Sequence, residues 1–574
     1  MFSLRNLLSL LAALVLAAQA VPAQAIPSQT RTISIREIQP GQRGVGRTIF
    51  VGNKIEEFQV EVLGVLENIG PRQNIILARL SGGPLDKTGV IAGMSGSPVW
   101  IDGRLAGAVA LAFPFSKEPI AGIRPIEEML AAGTATRPAV RAEAKFGEAR
   151  LAEVATPVSF SGFTARAVEQ FAPEWRKLGM TPLQGISGQG AASRAPAKNS
   201  PLEPGSMISV QLVSGDMQVG ADGTVTTIDK DQVYAFGHRF LALGSAELPF
   251  SRSEVITVLP SLDVSFKISS SKEPLGTIRT DGNAAIVGTL GRRPATIPVK
   301  LTVQGTAGLQ TFRMEMIRTP ALVPFLLQMV LFSAIDGSER TLGSSTISIT
   351  GELKLEGGLP PLKIKQAYAG DFNTPVLAAM STAAPIANLL QGSSETLRVS
   401  EINLAVNSTE VRAQWQIDQV STSRREVRPG ETIELAVALS NDGNERVERL
   451  KYLVPAGASP GPLTIAVSDG TTANLAEARS MLSLSPRPAT QMLTQLNSLR
   501  TNGSAWVRIS RPDPVYSMGG TELPNIPAGL AMLAARSTTQ SLLTPQGTRV
   551  AEFEIPLGTA VVSGQKSVQI EVKE

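Results

Sequence analysis

The chain has no cysteine and a single histidine in 574 residues. The first absence excludes disulfides and a lipid-modified cysteine, so the fold must be held by packing alone. Together the two leave too few ligands for a zinc or transition-metal site of the usual kind. Aromatic residues are also scarce at 5%, while Gly (52) and Pro (39) are plentiful, which fits many short strands joined by turns better than helical bundles. Charge of one sign is lacking too: 53 basic and 49 acidic residues are spread along the chain. No basic stripe with interleaved aromatics appears, so nucleic acid is not an expected partner. No GxxxxGK[ST] or strand-bound GxGxxG is present, which leaves nucleotide chemistry without support. The scattered carboxylates show no spacing that favours any two as a glycosidase pair. No cofactor and no metal are expected.

Long hydrophobic runs are missing as well. "ALVPFLLQMVLF" (Ala321 to Phe332) contains Pro324 and Gln328, is too short to span a bilayer, and reads as a buried helix. Near the start, Arg5 precedes "LLSLLAALVLAA", and small residues follow at Ala18-Gln19-Ala20 and Ala23-Gln24-Ala25. This layout predicts a secretory signal peptide cleaved after Ala20 or Ala25, hence an exported protein, periplasmic or extracellular, with no transmembrane segment in the mature chain.

Length alone suggests about three or four domains. Strand patterns run from Ile33 to Ala132 and again from Met207 to Phe312. "IRPIEEMLAAG" reads as a short helix with Pro125 near its start and Gly133 just past its end. Further helices are expected around "TARAVEQFAPEWRKLG", "TPVLAAMSTAAPIANLLQG" and "ATQMLTQLNSLRTNG". The Gly/Ser/Ala/Pro-rich stretch Ile186 to Gly205 reads as a flexible crossing. From Glu401 to Asp469 strands with a turn at Asp442-Gly443 suggest a β-sandwich.

One stretch carries chemistry. In "VIAGMSGSPVWIDGRLAGAVA", Asp102-Gly103 is a favoured type I′ turn between two apolar strands. Gly93 and Gly96 permit a sharp turn that leaves Ser95 exposed with backbone N–H groups nearby, as an acyl-transfer nucleophile requires. An ordinary Gly/Ser loop has the same composition. If a histidine activates Ser95, it must be His238, in "VYAFGHRFLALG", although a histidine in such a setting is often structural. Lys87 keeps a Ser–Lys pair open. The esterase motif GxSxG fails, because Ser97 stands at its last glycine.

G-x-S-G-S-P followed by strand, DG turn and strand resembles the nucleophile loop of chymotrypsin-like double β-barrel proteases. Carried over, that likeness makes the N–H groups of Gly93 and Ser95 the oxyanion donors. More narrowly, "GVIAGMSGSPVWIDGRLAGAVALAF" with "GRTIFVGNKIEEFQVEVLGV" and "PIEEML" resembles the serine-bearing half of the SpoIVB peptidase family. "GADGTVTTIDKDQVYAFGHRF" and "EPLGTIRTDGNAAIVGTLG" resemble its histidine-bearing half. Three features depart from the family. The halves come in swapped order, the acid position falls on Ser81 with Asp86 offset and Asp102 in the turn, and no PDZ-type domain is evident.

The resemblance implies a mainly-β fold: a chymotrypsin-like double β-barrel with connecting helices, joined here by a C-terminal β-sandwich and a small α+β end region. The expected layout is a signal peptide at 1–25, the serine-bearing half at 26–133, a helical and flexible connection at 134–206 and the histidine-bearing half at 207–315. A bridging α/β segment at 316–395, the sandwich at 396–475 and the end region at 476–574 follow. It implies a serine endopeptidase acting on protein or peptide substrates through Ser95 and His238. The alternative is a catalytically weak or inactive peptidase-like scaffold of the cell envelope. Neither the third triad member nor the oligomeric state can be read from the sequence.

Overall fold

In the computed structural model the described residues are 31–574, apart from 72, 134–142, 148, 186–200, 307, 339–342, 476–486 and short stretches between 513 and 547. The expected signal peptide and most of the Ile186 to Gly205 crossing lie outside the described residues. Strands take 54% of the chain and helices 16%, so the fold is mainly β.

The first sheet is a closed antiparallel barrel. Its strands are β1 (Arg43–Ile49), β2 (Ile55–Gly70), β3 (Gln73–Ser81), β4 (Pro98–Ile101), β5 (Arg104–Ala112) and β6 (Ile120–Pro125). They pair in the order β4-β1-β2-β3-β6-β5, and β5 returns to β4 to close the circle. The β4–β5 hairpin turns at Asp102 and Gly103, whose φ values of 50° and 70° are those a type I′ turn demands. Inward residues such as Phe58, Val60, Ile76, Leu80, Val99 and Ile123 fill the barrel. Helix α1 (Ile126–Ala132) follows β6, begun after Pro125 and ended at Gly133 as the sequence predicts.

Two short strands, β7 (Glu143–Phe146) and β8 (Ala149–Glu153), extend this barrel from β5. Next β9 (Thr156–Ser161), helix α2 (Ala165–Lys177) and β10 (Met180–Gln184) form a parallel crossover unit. Thr164 caps α2 by accepting from the Ala167 N–H.

A second closed circle follows, made of β11 (Met207–Gly215), β12 (Gln218–Asp229), β13 (Gln232–Ala235), β14 (Gly244–Leu259), β15 (Phe266–Asp281) and β16 (Ile286–Leu290). The pairing runs β12-β13-β16-β15-β14-β11 and back to β12, antiparallel throughout. The chain thus has the double barrel expected of it. Strands β17 (Ile297–Gly305) and β18 (Gly308–Met316) continue the second sheet from β11. The apolar run expected as a buried helix is α3 (Val323–Asp336), covered by α2 through Phe171 and Trp175.

The two barrels are locked together by apolar and backbone contacts. Ile49 packs with Met207 and Val255, and Leu105, Ala108 and Met129 pack with Ala284 and Ala285. Each fully buried side chain of the larger kind contributes roughly 1.5–3 kcal/mol. Backbone bridges join Gly52 to Val255 and Ala92 to Phe266.

Farther on, the strand Val399–Thr409 pairs with β17 and so belongs to the second barrel's extension rather than to the sandwich. The sandwich itself has a four-stranded and a five-stranded sheet around Ile433, Leu435, Val437, Ile465, Val467, Val507 and Ile509. Strands Ser504–Arg511 and Gln565–Val572 flank Gly461–Ser468 in the five-stranded sheet, and Thr548–Pro556 pairs with Ser504–Arg511 beyond them. The end region is therefore largely sandwich, with helix Ala489–Asn497 packed instead against the core of the second barrel and its extension.

Candidate functional site

The loop from Ile91 to Ser97 lies at the junction of the barrels. Gly93 and Gly96 have φ values of 94° and 91°, which only glycine adopts without strain. Gly96 has a second reason: a Cβ there would stand 2.0 Å from the Thr224 carbonyl oxygen and 2.5 Å from the Phe236 nitrogen. The histidine-bearing barrel thus presses directly on the serine loop.

Hydrogen bonds fix nearly every peptide group of the loop. The Ala92 N–H donates to Ser265 O at 2.8 Å, Met94 to Ile91 O at 2.9 Å, Gly96 to Val109 O at 2.8 Å and Ser97 to Met94 O at 2.8 Å. On the acceptor side, the Thr224 and Thr226 hydroxyls donate to the carbonyls of Gly93 (2.9 Å) and Gly96 (2.7 Å). The Thr224 N–H donates to Ser95 O at 2.9 Å. Among the described residues, the N–H groups of Gly93 and Ser95 have no acceptor. The Ile91 N–H is likewise without one.

His238 follows a tight bend in which both Phe236 and Gly237 have positive φ, 71° and 70°. Left-handed backbone at a phenylalanine is costly and persists only where the surroundings enforce it. Here the Phe236 ring fills the space over Gly223 and meets Phe240 edge-on. The His238 Nδ1 lies 2.6 Å from the Arg239 carbonyl oxygen, so Nδ1 carries the proton and donates. Nε2 is then the free acceptor, buried and without a hydrogen-bond partner, and the Ser95 Oγ is in the same condition. Burial pushes the imidazole below its usual value; the Glu153 carboxylate, the Arg239 carbonyl and Asp281 pull it up, and Arg124 pushes it down.

Ser95 is fully buried and His238 is 2% exposed. The exposed nucleophile expected from the sequence is therefore corrected: the second barrel covers the loop. Ser97 is also buried, with its hydroxyl unpartnered. Ser81, Asp86, Lys87 and Asp102 are exposed at the end of β3, on the helical turn Leu85–Thr88 and in the β4–β5 turn, and none bonds to His238.

Three groups escaped the sequence reading. Asp281 accepts from the N–H groups of Phe240 (2.7 Å), Leu241 (2.7 Å) and Leu243 (3.1 Å), shaping the chain just after the histidine. Arg124, buried on β6, points its Nε at the Gly237 carbonyl at 3.5 Å and pairs with Glu128 at 3.1 Å. Lys267 on β15 is fully buried, with its Nζ 2.8 Å from the Thr48 hydroxyl of β1 and 3.8 Å from the Met207 sulfur. Burial pushes this amine down to about 7, against the opposing pull of Asp222. Asp222 is itself pushed up by burial, while accepting from the Ser269 (2.8 Å) and Ser253 (3.1 Å) hydroxyls.

No curated protein matches the chain. Residues 17–130, which hold the first barrel and the Ser95 loop but stop short of His238, match the family described as SpoIVB peptidase S55. That match indicates a serine-type peptidase domain over the serine-bearing barrel.

Proposed function

We propose that the chain is an exported serine endopeptidase, its peptidase unit assembled from residues 33–132 and 207–312. Ser95 is the nucleophile, His238 the general base and then acid, and the Gly93 and Ser95 N–H groups the oxyanion donors. The observation that carries this reading is that the Ser95 Oγ and the His238 Nε2, on segments that meet where Gly237 approaches the Gly96 nitrogen, are both buried and free of any hydrogen bond, including one to each other.

In the proposed reaction His238 takes the Ser95 proton at Nε2 as Oγ bonds to the scissile carbonyl carbon. The oxyanion forms against the two amides, and the proton then passes to the leaving amine as the C–N bond breaks. Water repeats the sequence to release the acyl group. The Arg239 carbonyl takes the orienting part usually given to a carboxylate. It fixes the tautomer without adding a full negative charge, consistent with an imidazole that stays neutral. Because Ser95 is buried, a substrate peptide gains access only after the junction opens.

A fluorophosphonate probe tests this reading. Slow labelling of the mature protein, faster in low urea and abolished by Ser95→Ala, is the expected result. The burial of Ser95 and His238 favours a second reading, an inactive peptidase-like scaffold. Absence of labelling at every urea concentration that preserves the fold would favour that scaffold.

A further inference from the structure

We propose that Lys267 is a positioning residue for the candidate site, its stem forming the wall that holds Gly93 in place to receive an oxyanion. This inference rests on the function proposed above. Three independent contacts point to it. First, a Cβ built on Gly93 would lie 3.3 Å from the Lys267 Cδ and 3.5 Å from its Cβ, so the aliphatic stem lies along this glycine. Second, the Lys267 N–H donates to the Ala92 carbonyl at 3.1 Å while the Ala92 N–H donates to Ser265 O, joining the residue before Gly93 to the start of β15. Third, the amine ends on the Thr48 hydroxyl of β1, so the same side chain crosses from the second barrel to the first.

The physical reason for such a wall is the freedom of glycine. A donor aimed at an oxyanion must sit about 2.7–3.1 Å from it, and a glycine N–H can rock out of line. Thr224 pins the Gly93 carbonyl from one side. Lys267, with the Met207 Cε at 3.3 Å, closes the other. Lysine suits the place because its unbranched stem packs like an alkane and its end reaches a hydroxyl in the opposite barrel. It is not given the base's part in Ser–Lys fashion, because its Nζ is engaged by the Thr48 hydroxyl.

The test uses the full mature chain and a fluorophosphonate, whose phosphoryl oxygen enters the same hole, read as maximal labelling rate against apparent probe affinity. Lys267→Ala removes the wall and is expected to lower the maximal rate about 10- to 100-fold, with apparent affinity changed less than about threefold. Lys267→Met keeps most of the stem and is expected to recover most of that rate, each variant being compared at a urea concentration the same distance below its own unfolding midpoint so that the junction opens equally. Circular dichroism and melting confirm that both variants fold. Unchanged or faster labelling of Lys267→Ala overturns the proposal, the faster case marking Lys267 as a latch on the junction. Equal losses in the two variants overturn it as well, because the amine would then be the active part. Failure of the wild type to label at all contradicts the proposed function instead.

Discussion

Replacing Lys267 by methionine is expected to stabilise the barrel pair at neutral pH and to destabilise it in alkali. In the folded protein the amine is pushed from its ordinary 10.5 down to about 7, because burial disfavours the ammonium. The unfolded chain therefore binds a proton that the folded chain resists. At about 1.4 kcal/mol per pH unit, this costs up to roughly 5 kcal/mol at pH 7 and below. The cost shrinks as pH rises and is gone near 10.5. Methionine removes it but also strands the buried Thr48 hydroxyl, which costs about 1–3 kcal/mol. The net gain is about 2–4 kcal/mol at pH 7 or lower, with a change of sign before pH 10.5. Asp222 is the facing charge, and Asp222→Asn is expected to enlarge the neutral-pH gain by removing the group that holds the ammonium in place. The assay is urea unfolding at pH 6, 8 and 10, followed by hydrogen exchange in the peptide 98–112, which reports the first barrel separately from the sandwich. A methionine variant less stable than wild type at pH 6, or one whose difference does not vary with pH, refutes the reasoning.

Two further outcomes follow from the same geometry. The acid limb of labelling or hydrolysis is expected below the ordinary imidazole value, because burial favours neutral His238 and activity persists until the folded ring protonates; a limb raised above that value contradicts the role given to the Arg239 carbonyl. Gly96→Ala is expected to cost about 2–5 kcal/mol, since its Cβ meets the Thr224 and Phe236 backbone, whereas Gly103→Ala, with open space around it, costs about 1–2 kcal/mol; equal losses in melting experiments would remove the claim that the barrels clasp at Gly96.

Much of this arrangement was legible in local sequence signals. The Asp102-Gly103 turn, the ends of α1 and the buried character of α3 each follow from residues within one element. The glycines around Ser95 were legible for the same reason, since positive φ is a local demand. The burial of Ser95 was not, because Thr224, Phe236 and Lys267 cover its loop from more than a hundred residues away. Lys267 was hidden by alternation: in "FKISSS" the apolar Phe266 and Ile268 suggest the inward face, yet the lysine is the more buried. Asp281 accepts its hydrogen bonds from backbone amides, which leave no trace in residue types. The sandwich was placed too early because its inner strands come from residues far apart in sequence, and period-2 patterns do not say which strand pairs with which.

The central claim is that Ser95 and His238 act on one acyl centre, and the most direct test is to map the fluorophosphonate adduct by peptide mass spectrometry. The account predicts one adduct per chain, on Ser95, still formed in Ser97→Ala, absent in Ser95→Ala and formed at least about 100-fold more slowly in His238→Gln. An adduct on Ser97, or labelling of His238→Gln at the wild-type rate, would contradict it.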